Sequence, residues 1–368
     1  MAKKKKATKK ATKKSAPIEF DPEDWAKNQQ EDTPEFLALR AENKRLRKKL
    51  SVAGATASLI VRAVHEALDE PPKFVIPKPP PQKKMKLDEV AVVHVSDTQI
   101  GKVTETYDSE IAAGRLMEFA MRVGRVIRRH QTYAKVDELR VYLGGDMVEG
   151  ELIFPHQAHL IDSSVFEQAV RGAPVAISNM ILYWLNFVEK IHVLGVPGNH
   201  GRPASKHAGS HPLTNWDSVC YQVVRLMIEG PDGDPNRDAR KRITFLIPDN
   251  WYAVDEVLGH RNLVIHGHQI RGMIGGPAFA RQVMGWRDAV PEPWDNIYFG
   301  HFHVYKQGDL NGRWWFCNGT TESDNDYALE RLSSSTTPRQ RLQFFSEKYG
   351  LTADQPIYLT HALERGRG

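Results

Sequence analysis

Cysteine is scarce: Cys220 and Cys317 are the two in 368 residues, too few for a disulfide framework and without the paired spacing of a zinc knuckle. Both are read as buried thiols. Long apolar runs are missing as well. No stretch approaches the roughly 18 to 20 apolar residues that cross a bilayer, and the N-terminal MAKKKKATKKATKK leads into no apolar segment of the kind a secretory leader carries. Neither membrane insertion nor secretion is expected, and the expected compartment is the cytoplasm.

Acidic residues are absent from the first 14 positions, where Lys3, Lys4, Lys5, Lys6, Lys9, Lys10, Lys13 and Lys14 stand. The chain as a whole has 50 Lys and Arg against 45 Asp and Glu, a net of +5; setting those eight lysines aside leaves 42 against 45, a net of −3. The basic character therefore belongs to a tail and not to the body. Lysine alternating with alanine and threonine cannot bury apolar surface, so the tail is expected to be disordered. Its charge density suits sequence-blind, salt-sensitive binding to phosphate backbones such as DNA. A solubilising role explains it equally well.

What is present divides the chain. Residues 1–33 read as the lysine-rich tail, and 34–70 as a helical segment. In EFLALRAENKRLRKKL, Phe36, Asn43 and Leu50 share one heptad position and Leu39 and Leu46 the other. Asparagine in such a seam favours a parallel homodimer through residues 36–50, because its amide is satisfied by its mate in register. Two heptads are equally consistent with a helix packed on its own domain. A proline-rich linker, PPKFVIPKPPPQKK, occupies 71–87, and the main domain runs from 88 to 368.

In that domain short β-branched runs alternate with amphipathic helical ones. Strands are read at VAVVHVS, LRVYLGG, IHVLGV, ITFLI, NLVIH and NIYFG, and helices at Ser109–His130, Asp162–Lys190 and Leu213–Glu229. This alternation implies an α/β fold with ligands at the carboxyl ends of strands. Five segments place metal-competent side chains there: SDTQIG with Asp97 and Gln99, GGDMVEG with Asp146, PGNHGR with Asn199 and His200, VIHGH with His266 and His268, and GHFH with His301 and His303. Singly each is weak, since Gly-Asp after a strand is usually a turn and a lone histidine usually a hydrogen-bonder. Their order is the informative feature.

That order resembles the calcineurin-like metallophosphoesterase superfamily over roughly Glu89 to Tyr305. The resemblance implies a sandwich of two β-sheets flanked by helices, here with an N-terminal helical extension and basic tail, and a hydrolase using two divalent metal ions. Asp97, Gln99, Asp146 and His303 would surround the first metal, and Asp146, Asn199, His266 and His301 the second, with Asp146 shared. Two such ions clamp a hydroxide and the phosphoryl oxygens of an in-line displacement. Manganese is the first expectation; Fe2+, Zn2+ and Mg2+ suit the same mixed donors. His200 matches the position that protonates or stabilises the leaving oxygen, and Arg202 is placed to neutralise a phosphate oxygen or stands as a surface arginine.

One departure is Gln99, where the family most often has histidine. A neutral amide is a poorer donor than imidazole, so the first metal is expected to bind weakly, or Gln99 to stand behind the ligands. His94 is read as packed in the sheet, and His268 as a support for His266. His156, His159, His207 and His211 lie on loops expected to shape a substrate groove, while Glu149 either orients a ligand or caps the following segment. Trp314 and Trp315 are read as core on one face or a stacking platform, and Phe302 as structural.

Within the superfamily the pattern is also similar to the nuclease subunits of double-strand-break repair complexes. The distal stretch NGTTESDNDYALERLSSSTTPRQRLQFFSEKYGLTADQPIYL is similar to phage-encoded members, for which the compartment would be the host cytoplasm. Little chain follows for a separate DNA-capping domain, which weakens the carry-over of an ATPase partner. Three readings result: a metal-dependent DNA nuclease, a phosphodiesterase or phosphatase on a small molecule or phosphoprotein, and a non-catalytic scaffold. The near-complete ligand set favours catalysis.

Overall fold

The structure is a computed structural model that describes residues 87–154, 157–203, 211–230, 241–323 and 337–359. The basic tail, the heptad segment, the proline-rich linker, His156 and His207 lie outside the described residues. No described helix is long and apolar enough to cross a membrane.

Two sheets form the core. The first has the order β11-β10-β1-β2-β3-β4, from β1 (Val90–Val95), β2 (Glu138–Leu143), β3 (Lys190–Gly195), β4 (Ile243–Leu246), β10 (Arg339–Ser346) and β11 (Gly350–Tyr358). Strands β1 to β4 run parallel, and the β10-β11 hairpin closes the other edge antiparallel. The second has the order β5-β6-β7-β9-β8, from β5 (Tyr252–Val257), β6 (His260–Ile265), β7 (Asn296–Phe299), β8 (Lys306–Asp309) and β9 (Trp314–Cys317). Within it β6, β7 and β9 are parallel. All six strands read from the sequence are present.

Alternation along β1 explains the layering, because successive side chains point to opposite faces. Ala91, Val93 and Val95 pack under the helices, while Val90 and Val92 join Tyr142, Leu194, Val264, Tyr298 and Phe316 between the sheets. Helix α1 (Ser109–His130) covers the outer face with Leu116, Phe119, Ala120, Val123 and Ile127, a stripe at helical spacing. Asp108 caps it by accepting the Ile111 N–H at 2.8 Å, and Arg128, Arg129 and His130 in its last turn complement the helix dipole.

The second helix begins as Val165–Glu167, widens into a π-helical turn at Gln168–Gly172 and continues as Ala173–Trp184, together α2. It stops short of the expected Lys190, which opens β3, because Glu189 and Lys190 donate their N–H groups to Asp137 beside β2. Helix α3 (Trp216–Glu229) starts later than Leu213, since the Asn215 side chain accepts the Asp217 N–H and so acts as the N-cap. Helix α4 (Pro277–Ala289) covers the outer face of the second sheet through Phe279 and Val283. Cys220 and Cys317 are both buried and free, as expected.

Candidate metal centre

The turns after β1, β2, β3, β6 and β7 carry the five motifs, so both sheets deliver their functional residues at the carboxyl ends of parallel strands. These turns are strained in a consistent way. Asp97, Gln99, Asp146, His301 and His303 all have positive φ, with Leu258 and Asn311 the other non-glycine examples among the described residues. Such backbone costs energy for a side chain bearing Cβ and persists where surrounding contacts over-determine it.

Those contacts are visible at Asp146. The buried Asp217 carboxylate, on the first turn of α3, accepts N–H groups from Asp146 and Met147 at 2.9 Å, Val148 at 3.3 Å and Gly198 at 2.8 Å. One side chain thereby ties the Gly-Asp turn to the Gly-Asn-His turn. Asp146 Oδ1 in turn accepts the His200 N–H at 2.8 Å, while its Oδ2 is buried without a hydrogen-bond donor.

Around that Oδ2 the donors converge. His266 Nε2 lies 2.9 Å from it and 3.1 Å from Asn199 Oδ1. His266 Nδ1 donates to the Gly144 carbonyl at 2.8 Å, which turns Nε2 to the carboxylate; burial opposes a charge on this ring, but the Asp146 carboxylate beside it raises its pKa. Asp146, His266 and His301 present donor atoms within 4.8 Å of one another, the one such group of His, Cys, Asp or Glu among the described residues. Burial, with His266 adding to it, lowers the His301 pKa to about 4, so its imidazole is neutral and able to ligate at neutral pH. The Asp146 carboxylate, the His266 and His301 imidazoles and the Asn199 carbonyl together fit a divalent cation.

The other expected ligands are arranged differently. Asp97 is fully buried, and its two carboxylate oxygens accept the His301 N–H at 3.0 and 3.1 Å. His303 lies between Asp97 Oδ1, 3.4 Å from its Nε2, and Glu322 Oε2, 3.3 Å from its Nδ1. Burial opposes the charge on His303, but the hydrogen bonds to these two carboxylates raise its pKa to about 10. Gln99 sits among the imidazoles, its Nε2 3.3 Å from His200 Nε2 and 3.4 Å from His303 Nε2.

His200 stands beside the centre, its Nε2 4.0 Å from Asp146 Oδ2. Its Nδ1 lies 3.1 Å from both the Glu149 carbonyl and Glu149 Oε2, so Glu149 orients this imidazole. Burial acts to discharge the ring, yet Glu149 and Asp146 outweigh it and set the pKa at about 9. Arg202 is partly buried, forms no ion pair among the described residues and acts on Asp146 and His268 through its charge.

The remaining histidines separate by position. His268 packs near His266, ring centroids 5.5 Å apart, with Nδ1 buried and unpartnered, and lies outside the gathered ligands. His211 caps a short 3-10 turn by accepting the Leu213 N–H at 3.3 Å, and His159 is exposed. His94 is buried between the sheets, edge-on to Tyr298. Trp315 and Phe302 pack in the second sheet's outer cluster, whereas Trp314 is 37% exposed.

Sequence reasoning missed Asp217, Lys102 and Glu322. Glu322 had a signal, since it follows β9 as Asp97 follows β1; Asp217 had none, because its partners come from distant turns, and Lys102 read as an ordinary lysine beside Gln99 because its ion-pair partner Glu322 is distant.

Two sheets whose parallel strands bring an aspartate, a Gly-Asp, a Gly-Asn-His and two histidine turns to one edge match the architecture that the sequence resemblance implies. The fold is a sandwich of two mixed β-sheets flanked by helices, consistent with the metallophosphoesterase architecture. No protein-family model and no curated protein matches the chain. Among solved structures it is similar to Vps29 complexed with zinc from Entamoeba histolytica, at 10% identity and TM-score 0.32 over 73% of this chain and 99% of that one. An archaeal phosphodiesterase shares 8% identity and TM-score 0.34 over 73% and 99%. A predicted phosphoesterase from Streptococcus pneumoniae shares 12% identity and TM-score 0.29 over 73% and 98%. The agreement with that architecture rests on strand order and motif placement.

Proposed function

We propose that the chain is a metal-dependent phosphoester hydrolase and that its substrate is the DNA backbone. The observation that carries the catalytic part is the convergence of Asp146, Asn199, His266 and His301 beside a histidine held by Glu149. A divalent ion bound there, manganese by first expectation, would polarise a phosphoryl oxygen and acidify a bound water. The chain's own groups supply the rest. His200, with a pKa of about 9 in the metal-free chain, carries a proton at neutral pH and can deliver it from Nε2 to a leaving oxygen. Glu149 holds the ring through Nδ1, and the Arg202 guanidinium offers charge to a non-bridging oxygen.

Two features support a polynucleotide. The eight lysines of the tail suit a phosphate backbone. Phe154, 42% exposed, lies with its ring centroid 5.1 Å from that of His200, a face on which a base next to the scissile phosphate can stack. The test is cleavage of end-labelled single- and double-stranded DNA in Mn2+, wild type beside Asp146→Ala and a chain lacking residues 1–14, with nitrophenyl diester and monoester controls. Degradation by wild type and not by Asp146→Ala is expected, with the truncated chain retaining diester turnover but losing salt-sensitive DNA binding. Diester or monoester turnover with DNA left intact would move the substrate to a small molecule.

A further inference from the structure

We propose, on the metal-dependent reading above, that the chain holds a single divalent ion, at Asp146, Asn199, His266 and His301, and that the Lys102 ammonium replaces the first ion as a phosphate-binding cation. The residues of that first position do not fit a metal. Asp97 and His303 fall outside the set that gathers at Asp146. Both Asp97 oxygens already accept the His301 N–H, and both His303 nitrogens face carboxylates, one of Asp97 and one of Glu322. Asp97, His303 and Asp146 do not bring donor atoms within 4.8 Å of one another.

Gln99 completes the mismatch. Its Oε1 accepts from Lys102 Nζ at 3.4 Å while its Nε2 faces the two imidazoles. An ammonium has donors alone, so it engages the Gln99 carbonyl oxygen and competes with an ion for that lone pair. Histidine at this position could not serve in the same way, because an imidazole nitrogen bound to metal has no lone pair left for a lysine.

Lys102 is anchored for the task. It forms an ion pair with Glu322, whose carboxylate is almost fully buried, and its own side chain is 17% exposed. Two of its three N–H donors are directed at Gln99 and Glu322, leaving one for a phosphoryl oxygen. Its fixed positive charge also repels a second dication.

The experiment counts manganese in the full chain after loading with Mn2+ and gel filtration, by plasma mass spectrometry and by electron paramagnetic resonance. One ion per chain is expected in wild type, with the spectrum of an isolated ion. The Gln99→His/Lys102→Met double variant should hold two, with the spectrum of an exchange-coupled pair. Lys102→Met alone should keep one ion and weaken inorganic phosphate binding about tenfold, the loss of one charge-assisted hydrogen bond. A coupled pair in wild type would overturn the inference while leaving the metal-dependent reading intact. No bound manganese in wild type would overturn that reading itself. One ion in both wild type and double variant, or unchanged phosphate binding in Lys102→Met, would remove the role assigned to Lys102.

Discussion

His200 is buried enough that burial alone would discharge it, and the carboxylates of Glu149 and Asp146 reverse that outcome. His200→Ala should therefore lower kcat by about a hundredfold or more while leaving manganese content unchanged, since His200 is outside the gathered ligands. Loss of the metal together with turnover would contradict this role. Asp217 acts at a distance, through four backbone N–H groups on two turns. Asp217→Ala leaves those donors buried without an acceptor, and a stability loss of about 3 kcal/mol or more is expected in urea unfolding. Asp217→Asn keeps one acceptor oxygen and should lose less; equal stability of all three proteins would refute the bracing role. The donors that gather at Asp146 were legible because motif order names them. Asp217 was not, since an aspartate at a helix start reads as an ordinary first-turn acid.

Turns after strands, more than the strands, set the chemistry. Gly198 shows how little room they leave: a Cβ there would meet Asp146 Oδ1 at 2.1 Å and the Asp146 backbone nitrogen at 2.3 Å. Gly198→Ala should displace Asp146 and weaken manganese binding at least about tenfold, because ligand placement within a few tenths of an ångström governs affinity. Gly285→Ala, in α4 with nothing near its Cβ, is the control and should stabilise by about 0.5 to 1 kcal/mol. Manganese titration followed by thermal melting compares the two; matched titrations would show that Gly198 does not set the Asp146 position. Strands β1, β2, β3, β6 and β7 were readable from β-branched runs. The edge strands β8 and β11 were not: Lys306–Asp309 is polar and mostly exposed, and the alternation of Leu351, Ala353 and Ile357 in β11 is broken by Gln355.

Between the two sheets the molecule buries polar groups as well as apolar ones. Tyr142 and Arg140 of the first sheet donate to Asp255 of the second at 2.9 and 2.8 Å, and Tyr298 donates to Gln343 at 2.6 Å. His94 lies in the same layer with both ring nitrogens unpartnered. Burial, with Arg341 and His266 adding to it against Asp97, lowers its pKa from 6.5 to about 3. The sign follows from proton counting: between those values the unfolded chain binds a proton that the folded chain rejects, so stability falls as pH drops below about 6.5. At pH 5 this amounts to about 2 kcal/mol. The metal-free His94→Gln protein should show a correspondingly smaller difference in unfolding free energy between pH 7 and pH 5. An unchanged difference would place the acid sensitivity elsewhere.

Local chemistry carries much of this protein in its residue order. β-branched runs and amphipathic stripes specify α/β alternation, and the five motifs specify which polar side chains follow the parallel strands, because each depends on neighbours a few positions away. Strand order across two sheets, the bracing of Asp146 by Asp217, and the Lys102–Glu322 pair beside Gln99 are non-local. They arise when turns far apart in the chain converge on one edge, where burial and the placement of donors decide which groups could hold a metal.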